Sequence, residues 1–281
     1  MFQKLEHKVL LSGLSPSTLY NYGRSIAQIA LHFRKLPLDL TDQTINEYLL
    51  ELKAGKNPSE SYFKHTVYGL RYLFRLFERE DRAISLPPIK RSKKLPVVLN
   101  RQEVLTLLQT PKLLKHRIIL GLAYACGLRL FEVQALKIAD IDMVRKTVFV
   151  RRGKNGKSRY VPIDDNIIRG ISSYLESVNP RDVLFEGQSK GKAIAKRGIQ
   201  HLCKAAVRKS GLKKEISLHT LRHSYATHFL EDTNDLFTLK ENLGHARIET
   251  TLIYVHIVGS VTRHRPYSPL GKVLDLARNK S

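Results

Sequence analysis

Two arginines between residues 100 and 281 lie in surroundings that suit the binding of a phosphate. Arg129 follows an apolar segment, in Gly127-Leu-Arg-Leu-Phe-Glu132. Arg222 lies three residues after His219, a spacing that puts both side chains on one face of a helix. A guanidinium in apolar surroundings requires an anion. Glu132 could be that anion in a purely structural pair, so the local sequence leaves carboxylate and phosphate open for Arg129.

Three other side chains could take part in chemistry on a phosphate. Lys154 lies between two predicted strands, and Asn155-Gly156 favours a type I′ turn, which places the lysine at a hairpin tip. His245 is predicted to lie in a turn after a helix, and Tyr254 follows nine residues later in the next helix. Taken singly, an exposed lysine in a turn and a buried tyrosine are ordinary structural features.

A metal site is a weaker hypothesis for the histidines. His219 and His223 have the spacing of four residues found in metal-binding helices, but no Glu lies between them and no Cys or Asp is near. We therefore expect no metal. His223 and His228 are predicted to be core or surface histidines, and Cys126 and Cys203 to be buried thiols.

The composition is that of a folded and strongly basic protein. The 281 residues include 48 Lys and Arg against 25 Asp and Glu, a formal net charge of +23, and 42% are hydrophobic, which excludes disordered and low-complexity chains. The sequence shows no signal peptide and no apolar run of the ~18 residues that span a bilayer. We expect a cytoplasmic, nucleoid-associated protein, because basic proteins bind nucleic acids by releasing counterions from phosphates.

The densest basic stretch, residues 188–214, has nine Lys and Arg and no acidic residue. Its apolar residues recur at roughly helical spacing, so one face can pack on a core while the cations point elsewhere. A solvated face without a ligand is the alternative, although such surfaces usually mix both charge signs. We predict a helix that presents cations to DNA: Lys196, Arg197, Lys204 and Arg208.

The elements that position these residues indicate two domains. Residues 1–85 predict helices only, the first beginning at Ser15-Pro16 after about a dozen residues without a helix. Residues 86–99 are predicted to be a basic, proline-containing linker. Residues 100–281 begin with a capping box at Asn100 and Glu103. The expected fold class is mainly α with a small β-hairpin or sheet (α+β).

Four motifs in order along the chain resemble those of the tyrosine recombinases, the family of phage integrases and Xer-type site-specific recombinases. They are GLRxxE, the hairpin GKxxKxRxVPI, HTLRHSYATH and LGHxxIxTTxxY, within residues 100–255. Each motif is weak alone, but their order and spacing are specific. The resemblance implies a helical SAM-like core-binding domain at residues 1–85 and a catalytic domain at 100–281. Leu130-Phe131 are bulkier than is usual there, and Asn155 replaces a frequent glycine, but neither change removes a functional group.

The resemblance implies a catalytic pocket with Tyr254 as the nucleophile. The arginines would bind the non-bridging phosphate oxygens, and His219 would take the proton of a tyrosine whose ordinary pKa is near 10. The product would be a 3′-phosphotyrosyl enzyme, which retains the phosphodiester energy, so neither ATP nor Mg²⁺ nor another cofactor is implied. Lys154 would protonate the leaving 5′-oxygen, and His245 would donate to a phosphate oxygen. The implied catalytic residues are Arg129, Lys154, His219, Arg222, His245 and Tyr254.

The expected partners are double-stranded DNA and other copies of the chain. The family implies a homotetramer on two DNA sites, with accessory proteins or a partner recombinase as further possible partners. The reaction would be integration, excision, inversion or resolution of DNA. Within the family, a Xer-like or mobile-element recombinase fits this sequence best. No membrane partner is expected. The predicted DNA contacts are Lys64, Arg71, Lys93, Lys94, Lys157, Arg159, Lys196, Arg197, Lys204 and Arg208.

Other functions fit parts of the pattern. A type IB topoisomerase uses a similar set of Arg, Lys, His and Tyr to relax supercoils, but its motifs differ locally. A non-catalytic DNA-binding protein would explain the basic helix alone. A metal-dependent nuclease would be inhibited by EDTA, whereas the tyrosine mechanism would not.

Overall fold

The computed structural model describes residues 2–13, 15–54, 60–88, 95–151 and 158–262. Contacts divide the chain into two compact units, residues 1–93 and 94–281. The secondary structure described for the first unit is helical, as predicted. Apart from a 3-10 turn at Pro37–Asp39, its elements are α1 (Phe2–Leu11), α2 (Pro16–Phe33), α3 (Asp42–Ala54), α4 (Glu60–Leu76) and α5 (Glu80–Ser85).

The start of α2 confirms the sequence prediction, whereas α1 was not predicted. The Ser15 side chain accepts a hydrogen bond from the Thr18 backbone N–H, and Pro16 occupies the first turn. Helix α1 is held by Leu5, which is buried against Ile26 of α2 and Leu73 of α4. Charged residues on both sides of Leu5 hide this contact in the sequence, because they leave no clear apolar periodicity.

The second unit is an α+β domain, and the prediction of a mainly helical fold with a small sheet is confirmed. Its core includes α7, of which the residues from Ile118 to Ala123 are all buried. Apart from a 3-10 turn at Ile138–Asp140, its elements are α6 (Arg101–Gln109), α7 (Leu114–Ala125), α8 (Leu130–Ala135), β1 (Ile141–Asp142), β2 (Thr147–Val150), β3 (Arg159–Pro162), α9 (Asp165–Val178), α10 (Lys196–Ser210), α11 (Leu218–Thr233), α12 (Leu236–Leu243) and α13 (Glu249–Thr262).

The strands form an antiparallel sheet in the order β1-β2-β3. In the predicted hairpin, Val148 is paired with Val161 and Val150 with Arg159. Both valines of β2 are buried, so this register fixes one face of the hairpin on the core. The short β1 adds a strand that the sequence did not predict. The hairpin tip, residues 152–157, lies outside the described residues.

The predicted start of α6 and the predicted end of α7 are both confirmed. Asn100 and Glu103 form the predicted capping box at the start of α6. Helix α7 ends before Gly127, whose φ of +59° is in the left-handed region. None of the helices in the described ranges is long and apolar enough to cross a bilayer.

Substitution of Gly127 should destabilise the second unit strongly. A Cβ on this residue would lie 2.6 Å from a ring carbon of Tyr225 and 2.9 Å from a methyl carbon of Leu243. We expect Gly127→Ala to lower the free energy of unfolding by about 2–4 kcal/mol, because strain from the positive φ adds to overpacking. Denaturant unfolding measures the change.

Gly211→Ala is the matched control, since Gly211 has a φ of +72° but no atom within 4 Å of its added Cβ. Its cost should be about 1 kcal/mol. Equal losses for the two variants would contradict a steric requirement at Gly127.

Candidate active site

The buried carboxylate of Glu132 holds together three arginines that lie far apart in the sequence. The Glu132 side chain is 0% exposed. It accepts hydrogen bonds from Arg129 Nη1 at 3.0 Å and from both terminal nitrogens of Arg159 at 2.9 Å. Arg222 Nη1 lies 3.8 Å from the second carboxylate oxygen. The pair of Arg129 and Glu132 considered from sequence therefore exists, but as part of a larger charged cluster.

Backbone carbonyls fix Arg222 in the pocket. Its Nη1 donates to the carbonyl of Gly127 at 2.5 Å, and its Nη2 donates to the carbonyl of Leu243 at 2.7 Å. Leu243 is the last residue of α12, where a helix leaves carbonyls without partners and carries partial negative charge, and Gly127 follows the C-cap of α7. Burial and the charge of Arg129 lower the pKa of Arg222 to about 10, so the guanidinium stays charged at neutral pH.

Arg159 occupies a different place from the one predicted. It was assigned to the DNA surface, but its side chain is only 10% exposed. Besides its bidentate pair with Glu132, its Nε donates to the carbonyl of Asn242 at 2.7 Å. The structure therefore makes it an internal link between β3 and the end of α12. No local pattern in the sequence indicated this contact, because Glu132 is 27 residues away from Arg159.

The arginines keep Glu132 ionised despite its burial. Burial alone would raise the pKa of this carboxyl, but hydrogen bonds and charges from Arg159 and Arg129 outweigh it, and the pKa is lowered. The three guanidiniums and one carboxylate leave the pocket with a net positive charge. A buried site of this kind favours a second anion.

His245 lies against Arg222. Its Nε2 is 3.1 Å from Arg222 Nη2, and its Nδ1 is 2.9 Å from the Thr251 hydroxyl. Burial and the nearby charges of Arg222 and Arg129 lower the pKa of His245 to about 3, so the ring is neutral. Because a guanidinium can only donate, Nε2 accepts from Arg222 and Nδ1 carries the proton.

The hydroxyl of Tyr254 is bonded to a histidine that the sequence analysis left out of the site. Tyr254 is 2% exposed, and its hydroxyl lies 2.8 Å from Nδ1 of His223. Burial raises the pKa of Tyr254, although the charges of Arg222 and Arg129 oppose this. His223 had been predicted to be a core or surface residue. The signal that could have identified it was its position directly after Arg222.

His219 is at the open side of the site and is exposed. Its ring centre is 6.2 Å from that of His223, at an angle of 83°. The expected contact of His219 with the tyrosine hydroxyl is therefore made by His223 instead. His219 and His223 are one turn apart on α11, and His223 is the one that faces Tyr254 on α13. His219 lines a groove of about 580 Å³ with Leu130, Phe131 and α10.

The predicted basic helix exists as α10. Its buried residues are Ile199, Leu202, Cys203 and Ala206, and the four predicted DNA-contact residues on it are all exposed. Burial raises the pKa of Cys203 to about 11 and that of Cys126 to about 12, so both thiols are neutral.

The other predicted site residues lie partly outside and partly within the described residues. Lys154 and Lys157 of the hairpin, and Lys93 and Lys94 of the linker, lie outside the described residues. In the first unit Lys64 is half-buried. Arg71 donates through Nη2 to the carbonyls of Leu86 and Pro87, at 2.9 and 2.8 Å, a structural contact that the sequence did not suggest.

Among the described residues, no cluster of three or more His, Cys, Asp or Glu could hold a metal ion.

Family models and curated relatives match most of this chain. The phage integrase family model matches residues 97–259, and the N-terminal SAM-like domain model of phage integrases matches residues 1–83. Tyrosine recombinase XerD of Staphylococcus epidermidis is 33% identical over 89% of this chain and 91% of its own length. XerD of Staphylococcus haemolyticus is 34% identical, over 87% and 89%.

A solved structure shows the same fold. It is that of XerH site-specific recombinase bound to its difH substrate before cleavage, which aligns with a TM-score of 0.72 and 22% identity over 95% of this chain and 85% of that chain. The fold and site define a DNA strand-exchange enzyme. The chain belongs to the phage integrase family and is a tyrosine recombinase, an enzyme of site-specific DNA recombination.

Removal of the Glu132 charge should cost far more than removal of a carboxylate that is partly exposed, such as that of Glu103. We expect Glu132→Gln to lower the free energy of unfolding by about 3–5 kcal/mol, because the change leaves buried guanidiniums without a counter-charge. Denaturant unfolding of the full chain measures the loss.

Glu103→Gln is the control, since Glu103 pairs at 2.7 Å with Lys214, which is 42% exposed. Its cost should be below about 1 kcal/mol. If the two losses were similar, the carboxylate of Glu132 would not be what holds the arginines.

Proposed function

We propose that this recombinase cleaves DNA with Tyr254 and holds the broken strand as a 3′-phosphotyrosyl intermediate. The observation that carries the proposal is the convergence of a buried tyrosine with Arg129 and Arg222, which both influence the pKa of its hydroxyl. A phosphodiester gains negative charge as the pentacovalent centre forms. Fixed guanidiniums stabilise that charge more in the transition state than in the ground state.

The other catalytic roles follow from the position of each side chain. The exposed ring of His219 is proposed to contact the phosphate from the open side of the site. His245 would donate to a phosphate oxygen through Nε2, in the tautomer in which Nδ1 has given up its proton and accepts a hydrogen bond from the Thr251 hydroxyl. Lys154, in the hairpin between β2 and β3, is proposed as the general acid that protonates the leaving 5′-oxygen. No step in this scheme calls for ATP or a metal ion.

The exposed face of α10 is the proposed DNA-binding surface of the catalytic unit. Lys196 and Lys204 line the groove that also includes His219, so the cations continue the surface that leads to the site. Their charges would bind the DNA backbone on one side of the scissile phosphate. The basic linker, Lys157 and the predicted residues of the first unit would add further backbone contacts.

The assembly proposed is a homotetramer on two DNA sites, acting in the cytoplasm on nucleoid DNA. Exchange of strands between two duplexes requires two cleavages in each, and each protomer has one Tyr254. A partner recombinase or accessory protein could replace or direct some protomers. The outcome would be integration, excision, inversion or resolution of DNA, depending on the arrangement of the sites.

Loss of the tyrosine hydroxyl should abolish covalent attachment but not DNA binding. We expect Tyr254→Phe to form no phosphotyrosyl adduct and to keep its Kd for DNA within about twofold, because Arg129, Arg222 and α10 are unchanged. The measurement incubates the protein with nicked duplexes made from DNA that flanks its gene, detects adducts on denaturing gels and maps the cleavage position.

Tyr225→Phe is the control, since its hydroxyl accepts a hydrogen bond from the Asn242 amide at 3.2 Å within the same unit. It should form the adduct. An adduct that persists in Tyr254→Phe would refute the assignment, and relaxation of supercoiled plasmids without paired target sites would instead indicate a topoisomerase.

The cations of α10 should act on binding, and those of the pocket on cleavage. We expect the triple variant Lys196→Ala, Lys204→Ala, Arg208→Ala to reduce the slope of log Kd against log salt concentration by about 0.9 for each lost phosphate contact. Lys154→Ala should leave the slope unchanged but lower cleavage by about 100-fold or more. Kd measured between 50 and 200 mM salt, a range in which such slopes are resolved, tests both statements. An equal effect of the two variants on the slope would contradict this division.

A further inference from the structure

We propose that His223 accepts the proton of the Tyr254 hydroxyl during cleavage and returns it during rejoining. The inference rests on the proposed function of Tyr254 as the nucleophile. It assigns a catalytic role to a residue that lies within the HTLRHSYATH motif but is not among the catalytic residues that the resemblance implies. Its basis is the contact of 2.8 Å between the hydroxyl and Nδ1 of His223.

The Tyr254 hydroxyl and the His223 ring are in the protonation states that this proton transfer requires. Burial raises the pKa of Tyr254, so the hydroxyl keeps its proton. Burial and the nearby charges of His219 and Arg222 lower the pKa of His223 to about 4, so its ring is neutral. In the neutral tautomer that carries its proton on Nε2, Nδ1 is an acceptor and the hydroxyl donates to it. In that tautomer the hydroxyl proton points at the nitrogen that would receive it.

The surroundings of His223 make the transfer depend on the substrate. The titratable and charged groups that face it are His219 and Arg222 on α11, Tyr254 on α13 and His245 after α12. In the empty pocket the charge of Arg222 disfavours an imidazolium at His223. A phosphodiester bound to Arg222 and Arg129 would offset that charge and strengthen the acceptor. The tyrosine would thus stay protonated and unreactive until DNA occupies the site.

The step balances in atoms and charge. The O–H bond of Tyr254 breaks, its proton forms an N–H bond at Nδ1, and the tyrosine oxygen forms the new O–P bond. The bond between phosphorus and the 5′-oxygen breaks with its electron pair on that oxygen, which takes a proton from the general acid. In rejoining, the 5′-hydroxyl attacks phosphorus, its proton returns to the acid, and Nδ1 returns its proton to the tyrosine oxygen.

Helix α11 contains a matched control for the hydrogen bond itself. Nδ1 of His228 lies 2.9 Å from the hydroxyl of Tyr124, away from the arginine cluster. His228→Gln therefore removes the same kind of Tyr–His pair from the same helix without touching the site. His223→Gln keeps a side chain that can accept a hydrogen bond but cannot take up a proton, and His223→Phe removes both properties.

The experiment measures single-turnover adduct formation on a nicked duplex that contains the mapped cleavage position. Two versions of the duplex carry oxygen or sulfur at the bridging 5′ position, since a thiolate leaves without protonation. We expect His223→Gln and His223→Phe to slow the wild-type reaction about 100-fold or more on both duplexes, with unchanged Kd and melting temperature. Lys154→Ala should be rescued by sulfur. His228→Gln should stay within about threefold of wild type.

The pH profile separates His223 from His219. The wild-type rate should fall at acidic pH as the acceptor becomes protonated, and this acid limb should persist in His219→Gln but vanish in His223→Gln. A wild-type rate in His223→Gln, rescue of that variant by sulfur, or loss of the limb only in His219→Gln would overturn the inference. If the wild-type protein forms no adduct with any duplex, the proposed function itself fails, and the inference with it.

Discussion

The charge of one buried carboxylate determines the structure of the whole pocket. Three guanidiniums surround Glu132, so the cluster has a net charge of 3 − 1 = +2 when both histidines beside it are neutral. A phosphodiester brings one negative charge, and its pentacovalent transition state about two. The described cluster is therefore closest to neutrality at the transition state. A pocket whose positive charge is neutralised more fully by the transition state than by the bound substrate favours catalysis over ground-state binding.

The carbonyls that hold Arg222 show how the fold tolerates this excess charge. They belong to Leu243, the last residue of α12, and to Gly127, which follows α7; Gly127 and Gly244 both adopt a positive φ. The end of α12 and the carbonyl of Gly127 thus direct partial negative charge at the buried guanidinium. A carboxylate in their place would cancel the charge that the phosphate must meet. Dipoles stabilise the arginine and leave the pocket positive.

The sequence predicted which candidate site residues meet but not how they are connected. Arg129, Arg222, His245 and Tyr254 were predicted because each lies in one of the short motifs whose order along the chain resembles a known family. The roles of Arg159 and His223 depend on contacts between distant segments, which no local pattern reveals. Helix α11 is a particular difficulty, because it is buried on nearly all sides and carries polar residues among its buried positions. Its faces cannot be assigned from the alternation of polar and apolar residues.

The position of Arg159 also changes how the net charge of +23 should be divided. Charges on α10 are exposed, so salt at physiological concentration screens them over about 8 Å. Charges around Glu132 lie inside the protein, where screening is weak and the effective dielectric constant is low. Salt should therefore weaken the encounter with DNA far more than the chemical step. Arg159 belongs to the second group, and its contribution is to hold Glu132 ionised so that Arg129 and Arg222 remain correctly placed.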